Sequence, residues 1–501
     1  MKSIFTAVIC LSAGLVNAQT TDSAQPTKLT LPPVPKAKNV LFIFADDLGY
    51  KDIGCFGSSF YETPHLDALR KDSLKLTNAY AACPVCSPTR SSVMTGQYPA
   101  RTKNTDYFGA YNHKPNGKVP KRYQKRAVLP ASYIDQLPHK LTTVAESLKK
   151  RGFSTFFAGK WHLGGKGSWP QDHGFDINKG GWTRGGPYGG KRYFSPYGNP
   201  QLEDGPDGEH LPDRLATETV KFIKEADKPF FAMLSFYSVH TPLIGREDLV
   251  EKYKKKAQKL GLTKKDCFQP EFPRQVRVKQ NHAIYGAMVE AMDESIGKLI
   301  KGLKDSGKYE DTMIIFFSDN GGLSTSEGSP TSNQPFRAGK GWLYEGGIKE
   351  PALLKIPGIT KPNSTSGLIV TSTDFYPTIL EACGISRSPK HHIDGKSIIT
   401  RLETPDQRPI FWHYPHWGNQ GGTPGSAIRK GDWKLIQFYD SKGYELYNLK
   451  QDAGEQKNLA KTNPKKLEEL KKLLDNWKAE TKANPVHKNP HFKEEHKKLK
   501  W

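Results

Sequence analysis

Cys86 opens the run Cys-Ser-Pro-Thr-Arg-Ser-Ser-Val-Met-Thr-Gly, residues 86–96, which sets a thiol at the mouth of a predicted helix and Arg90 one turn later. Pro88 suits the first helical position, where its missing N–H would have no partner. Cys86 and Ser87 would then stand at the cap, where unpaired backbone N–H groups and the helix dipole favour an anion. A thiolate in such a place is a good nucleophile. Two plainer readings compete with it: a buried structural cysteine in a helix cap, and a Cys83-x-x-Cys86 pair of redox or half-zinc type. No second Cys-x-x-Cys pair exists to complete a zinc site.

Three apolar runs end in polar residues of useful type. Asn39–Ala45 ends in Asp46 and Asp47, Met313–Ser318 ends in Asp319 and Asn320, and Lys228–Ser235 runs on to His240. In open α/β sheets, ligands bind beyond the carboxyl ends of the strands. Three carboxylates gathered there would repel one another without a cation. All-oxygen ligands suit Ca²⁺ or Mg²⁺ rather than Zn²⁺. Taken singly, an Asp-Asp pair after a strand is a turn or a helix cap; the joint placement carries the inference. In Gly152–His162, Lys160 and His162 stand two residues apart, a spacing that points both the same way from an extended chain. A surface lysine beside a packed histidine is the plain alternative.

The Cys-x-Pro-x-Arg core resembles the signature at which sulfatases have a cysteine oxidised to formylglycine. Gly152-Phe-Ser-Thr-Phe-Phe-Ala-Gly-Lys-Trp-His162 resembles the second signature of that family, with Phe153 where a tyrosine is usual. Ser238-Val-His240-Thr-Pro resembles its histidine site, and Arg337-Ala-Gly-Lys340-Gly-Trp-Leu-Tyr-Glu345-Gly-Gly its lysine site. Asp374–Leu380 and Gly431–Ile436 resemble later structural segments, so the likeness runs in family order over most of the mature chain. The resemblance implies an alkaline-phosphatase-like fold and a divalent ion, Ca²⁺ with Mg²⁺ as the alternative. Asp46, Asp47, Asp319 and Asn320 would hold it with an oxygen of the modified residue 86. It further implies that Arg90 fixes the aldehyde hydrate and that Lys160 and Lys340 neutralise sulfate oxygens. His240 would protonate the leaving alcohol, with Lys340 competing for that role. His162 would take the proton from the remaining hydroxyl of residue 86. A formylglycine-generating maturation enzyme is the implied partner.

The elements that must position these groups are strands alternating with helical patterns at Leu141–Arg151, Asp213–Ala226 and Asn281–Lys304. Such alternation predicts an α/β fold, a mostly parallel central sheet between helices. After about residue 400 the pattern changes to short strands at 410–413, 427–430, 433–438 and 444–449. A helix follows with Leu467, Leu470, Leu474 and Trp477 on one face, so a smaller antiparallel sheet-plus-helix subdomain is expected. The expected divisions are a signal peptide at 1–18, a linker at 19–37, a catalytic domain at 38–405, a C-terminal subdomain at 406–485 and a basic tail at 486–501. Residues 164–200, dense in glycine, aromatic and basic residues, read as a long substrate-facing loop.

The N-terminus pairs Lys2 with an apolar stretch from Ile4 to Val16 and a small-residue cleavage site, the pattern of a secretory signal. No later apolar run reaches membrane-spanning length, so an exported protein is expected, periplasmic or secreted in a bacterium. Six cysteines are few for an exported chain of 501 residues, and disulfides do not build this fold. The 74 basic against 51 acidic residues give a net charge of +23, a field that attracts polyanions. No nucleic-acid recognition motif is present, and a sulfated carbohydrate fits both the charge and the compartment. General basicity, partly from the Lys-rich segment beyond Pro464, is the plain alternative. Arg184 in the glycine-rich loop and Trp412, His413 and His416 in the small subdomain are the candidate sugar contacts, although Trp412 could equally be core. Two rival functions remain: a phosphodiester or phosphonate monoester hydrolase on the same fold, and a non-catalytic binder of anionic polysaccharide.

Overall fold

β1, Asn39–Ala45, is buried along its whole length, as a continuous apolar run covered on both faces requires. Its side chains alternate between two cores. Leu41, Ile43 and Ala45 pack on one face with Leu299 and Ile296, while Val40, Phe42 and Phe44 pack on the other with Phe375 and Ile379. This computed structural model describes residues 36–114, 117–263, 265–386, 391–440, 443–493 and 496. The segments expected as signal peptide and linker, up to residue 35, and much of the expected basic tail lie outside the described residues.

Seven further strands complete the central sheet: β2 Leu74–Tyr80, β3 Ser154–Gly159, β4 Ile177–Lys179, β5 Phe230–Ser235, β6 Thr312–Ser318, β7 Lys349–Lys355 and β8 Ser364–Thr371. Their order is β8-β2-β7-β6-β1-β5-β3-β4. Every pairing is parallel except those of β7, which runs antiparallel to both β2 and β6. The β7–β2 register slips between Glu350 and Ala352. Pro351 sits at the slip, where it has no N–H to give the ladder. The expected α/β architecture with a mostly parallel sheet is therefore the observed one.

Helices α1 Leu211–Glu225 and α2 Ala283–Asp305 cover one face and α3 Phe375–Ala382 the other. The helix expected at Leu141–Arg151 is shorter, Val144–Lys149, and starts at a reciprocal cap between Thr143 and Glu146. The C-terminal region forms the antiparallel sheet β9 Ile410–Tyr414, β10 Gly425–Lys430, β11 Trp433–Phe438 and β12 Tyr444–Asn448, with α4 Pro464–Glu480 packed on it. Lys434 on β11 is fully buried. Its Nζ lies 3.0 Å from Glu345 Oε1 and 2.8 Å from Glu455 Oε1. Glu345 follows Lys340 by five residues and begins the turn of helix leading into β7, so the small sheet braces the segment that carries Lys340.

Candidate active site

The carboxyl ends of β1 and β6 are neighbours, with Ala45 paired to Ser318. The residues that follow, Asp46 and Asp47 on one strand and Asp319 and Asn320 on the other, therefore meet. Consecutive residues of a strand point to opposite sides, yet Asp46 and Asp47 both enter the site. The chain leaves extended conformation there, with Asp47 at φ +58°, a left-handed state that aspartate tolerates better than most residues. One ligand oxygen from each of Asp46, Asp47 and Asp319 lies within 4.8 Å of the others, and all three residues are buried.

Three cations of the protein stand against these carboxylates. Lys160 Nζ donates to Asp46 Oδ1 and Oδ2 at 2.8 and 2.7 Å, Lys340 Nζ to Asp47 Oδ2 at 2.7 Å, and Arg90 Nε to Asp319 Oδ2 at 2.8 Å. Burial raises Asp46 well above the usual carboxylate range despite Lys160. At Asp47 burial acts in the same direction, but Lys340, His240 and Lys160 together outweigh it and the carboxyl is held low. Asn320 Nδ2 donates to Asp47 Oδ1 at 2.8 Å, while its buried Oδ1 has no hydrogen-bond partner. An orphaned carbonyl-type oxygen beside three carboxylates is the donor set of a hard divalent cation, and the residues present fit that ion.

The helix that begins at Cys86 runs to Thr95, capped by Val85. Cys86 is thus its first residue rather than the cap, and Pro88 is third, where a missing N–H is still harmless. Cys86 Sγ lies 3.3 Å from His162 Nδ1, and His162 Nε2 lies 3.1 Å from the carbonyl oxygen of Phe108. A carbonyl only accepts, so the ring proton sits on Nε2 and Nδ1 is left as the acceptor facing residue 86. Burial pushes the thiol upward and pushes His162 well below its ordinary range. His162 is not in extended conformation: its φ is +54°. The two-residue spacing of Lys160 and His162 therefore does not aim them together, and they reach Asp46 and Cys86 respectively. A Cβ at Gly185 would stand 2.5 Å from the His162 ring, so only glycine lets that loop close over it.

A cavity of about 300 Å³ opens on this group. Cys86, His162, His240 and Lys340 line it, together with Tyr107, Phe108, Gly185, Tyr188, Glu327, Asn419 and Gln420. His240 Nδ1 donates to the Thr241 carbonyl at 2.8 Å, leaving Nε2 3.7 Å from Asp47 Oδ2. Burial and Lys340 push His240 down to about 3. Tyr188 OH, 3.3 Å from His240 Nδ1, brings the glycine-rich segment into the wall. Glu327 Oε1 accepts from Asn419 Nδ2 at 3.0 Å and Gln420 Nε2 at 2.9 Å.

Several expected contacts fall elsewhere. Lys160 is fully buried with Asp46 and does not line the cavity. Arg90 commits its donors to Asp319, the Lys160 carbonyl and Ser235 Oγ, not to the cavity. Arg184 lies over the Trp182 ring and donates to the Tyr188 carbonyl, supporting the loop instead of lining the pocket. Trp412 is core: its Nε1 donates to the Ala81 carbonyl at 2.8 Å and its ring packs against Tyr80. His413 is held between Ser426 Oγ and the Asn484 carbonyl, and His416 by Thr105 Oγ1. None of these three lines the cavity: Trp412 faces the seam between the two sheets, His413 points to the opposite face of β9, and His416 lies beyond the end of that strand. Trp412→Ala should accordingly cost about 3–5 kcal/mol of stability, read by chemical denaturation, with KM for p-nitrophenyl sulfate unchanged in the folded fraction.

Sequence reasoning missed Tyr107, Glu327, Asn419 and Gln420, which come from irregular segments without a motif. All five described cysteines are free, Cys83 and Cys86 among them, so the redox-pair reading gains no support. No helix among the described residues is long and apolar enough to cross a membrane.

A family model described as Sulfatase matches residues 38–385, and one described as N-sulphoglucosamine sulphohydrolase, C-terminal, matches 338–483. A sulfatase of Formosa agariphila is 31% identical, with 85% of each chain covered. Human N-acetylgalactosamine-6-sulfatase is 29% identical over 76% of this chain and 69% of its own length. The crystal structure of Ps i-CgsB in complex with k-i-k-neocarrahexaose matches with a TM-score of 0.71 and 25% identity, covering 93% of this chain and 97% of that one. The protein is thus an enzyme that hydrolyses sulfuric esters, and the chain belongs to the sulfatase family.

Proposed function

We propose that this sulfatase removes sulfate from a sulfated carbohydrate, with residue 86 acting in its formylglycine form. The observation that carries the reading is Cys86 itself, at the first turn of a buried helix, on the cavity wall and 3.3 Å from the imidazole acceptor of His162. The relatives named for a sulfated amino sugar and bound to a carrageenan hexasaccharide support the substrate class, as does the net charge of +23. The Cys-Ser-Pro-Thr-Arg run is the recognition site for the maturation enzyme. Export to the periplasm or medium by the segment 1–18 completes the reading, with 38–405 as the catalytic domain and 406–485 as its C-terminal subdomain.

Formylglycine supplies a hydrated aldehyde, one hydroxyl to attack sulfur and a second whose deprotonation drives sulfate out. His162 Nδ1 is the acceptor for that second proton, because Phe108 holds the other ring proton on Nε2. Asp46, Asp47, Asp319 and Asn320 Oδ1 would hold Ca²⁺, with Mg²⁺ as the alternative, together with an oxygen of residue 86. A divalent ion there supplies Lewis-acid polarisation of the sulfate oxygens. Lys340 stands at the cavity as an ammonium against the sulfate oxygens and is the group that holds a proton near the leaving oxygen. His240 presents Nε2 to the same space and orients the ester. Lys160 and Arg90 hold the Asp46 and Asp319 side chains in place by hydrogen bonds.

The rival on this fold is phosphodiester or phosphonate hydrolysis, since sulfate monoesters and phosphate diesters both carry one negative charge. The matured protein should turn over p-nitrophenyl sulfate with kcat/KM at least about 100-fold above bis-p-nitrophenyl phosphate, a discrimination of about 3 kcal/mol. The reverse ratio would give the function to the rival. A panel of carrageenan, heparin and chondroitin sulfate oligosaccharides then tests the carbohydrate reading by sulfate release.

A further inference from the structure

A second hollow of about 230 Å³ adjoins the catalytic cavity, and Tyr107 and Asn419 line both. Arg122, Arg126 and Arg274 line the second one together with the Tyr123 and Trp417 rings. The guanidinium of Arg126 lies over Trp417, 4.4 Å from the ring centroid, and that of Arg122 lies over Tyr123 at 5.1 Å. Arg274 Nη2 donates to the Asn419 carbonyl at 2.8 Å, tying it to the segment that walls the active site. Among the described residues neither Arg122 nor Arg274 forms a salt bridge. Burial, together with the neighbouring Arg274, pushes Arg126 below its ordinary range, against the opposing pulls of Tyr123 and Asp440. Three guanidinium groups gathered in one small cleft with one acidic group facing them form a site for an oxyanion. Their planar forks match sulfate or carboxylate oxygens in pairs.

We propose that this cleft binds the anionic group of a neighbouring sugar residue, a further sulfate or a uronate carboxylate, in the same chain whose sulfate ester lies at residue 86. The inference rests on the carbohydrate reading above and makes the enzyme selective for polyanionic oligosaccharides over single sulfated sugars. The shared wall of Tyr107 and Asn419 places the two hollows side by side.

The test is calorimetric binding of carrageenan and heparin hexasaccharides to full-length Cys86→Ala protein, which cannot turn them over. Adding Arg122→Ala and Arg274→Ala should weaken binding of the better hexasaccharide about tenfold or more, the expected loss for two charge-assisted hydrogen bonds. In the Cys86 background, the same two substitutions should leave kcat/KM for p-nitrophenyl sulfate, too small to span both hollows, within about twofold. Arg122→Ala alone leaves the Arg274 bond to the Asn419 carbonyl intact and should give part of the loss, which guards against a disturbed Asn419. Equal hexasaccharide binding with and without the arginines overturns the proposal and leaves the carbohydrate reading standing. Binding of neither hexasaccharide to the Cys86→Ala protein overturns both. Sodium sulfate binding that the arginine substitutions abolish, with hexasaccharide binding untouched, would make the cleft a free-oxyanion site and also overturns the proposal.

Discussion

Cys86→Ala and Cys86→Ser lower kcat on p-nitrophenyl sulfate by about 10⁴-fold or more, the scale seen when a nucleophile is removed, and the two variants differ in what they leave behind. The buried thiol is itself a poor substitute for the modified residue, since burial keeps it protonated. A serine hydroxyl facing His162 Nδ1 can still attack sulfur. It carries no second hydroxyl, so nothing on residue 86 can expel the sulfate once it is attached. Cys86→Ser should therefore release up to one equivalent of nitrophenol and stop, with the peptide containing residue 86 heavier by one SO₃, the serine O–H having become a sulfate ester. Cys86→Ala should release none. Sustained turnover by either variant, or by protein whose residue 86 is shown by mass spectrometry to be unmodified cysteine, would sink the mechanism. Both variants should fold, because the sulfur makes a single described polar contact, to His162.

The second large effect concerns the ion. Exhaustive chelation should abolish turnover, and Ca²⁺ should restore it while raising the melting temperature. At a hundredfold excess over Kd the ion contributes about 2.7 kcal/mol to stability. Asp319→Ala is an unsuitable probe of that site, because it strands the buried Arg90 guanidinium at a cost of about 3–5 kcal/mol, ion or no ion. Asn320→Ala separates the two effects. Its Oδ1 has no hydrogen-bond partner, so the apo-protein loses only the Nδ2 bonds to Asp47 and to the Gly321 carbonyl. Without that oxygen the Ca²⁺-induced rise in melting temperature should need about 10- to 100-fold more metal. An unchanged calcium titration would remove Asn320 from the ligand set.

The groups that proved easiest to find in the sequence are those whose position follows from local pattern. A continuous apolar run marks a covered strand, and its end marks the sheet edge where ligands bind, so Asp46, Asp47, Asp319 and Asn320 were legible as one site. Cys86 and Arg90 share a helix one turn apart. What local pattern cannot state is which long-range partner a side chain will take. Arg90 meets a carboxylate 229 residues away, and that commitment draws it from the cavity. Glu327, Asn419 and Gln420 arrive on irregular chain whose path is set by packing between sheets. For Trp412 the signal was present, but residue type left core and sugar contact evenly balanced. Ile410, Trp412 and Tyr414 alternate along β9 and are all buried, one face of a strand turned to the core. An aromatic residue in a strand of that period is packing, whatever sugars it could have stacked on.

The connection 415–424 between β9 and β10 contributes to the wall of both hollows, whereas every group assigned to bond cleavage is borne on the large sheet and its loops. Selection of the polymer, by this connection together with Arg122, Arg126 and Arg274, is thus carried on stretches of backbone other than those that bear Cys86, His162, His240 and Lys340. A lineage of such enzymes could retool for a new polysaccharide by editing these segments, with the machinery beneath them left unedited.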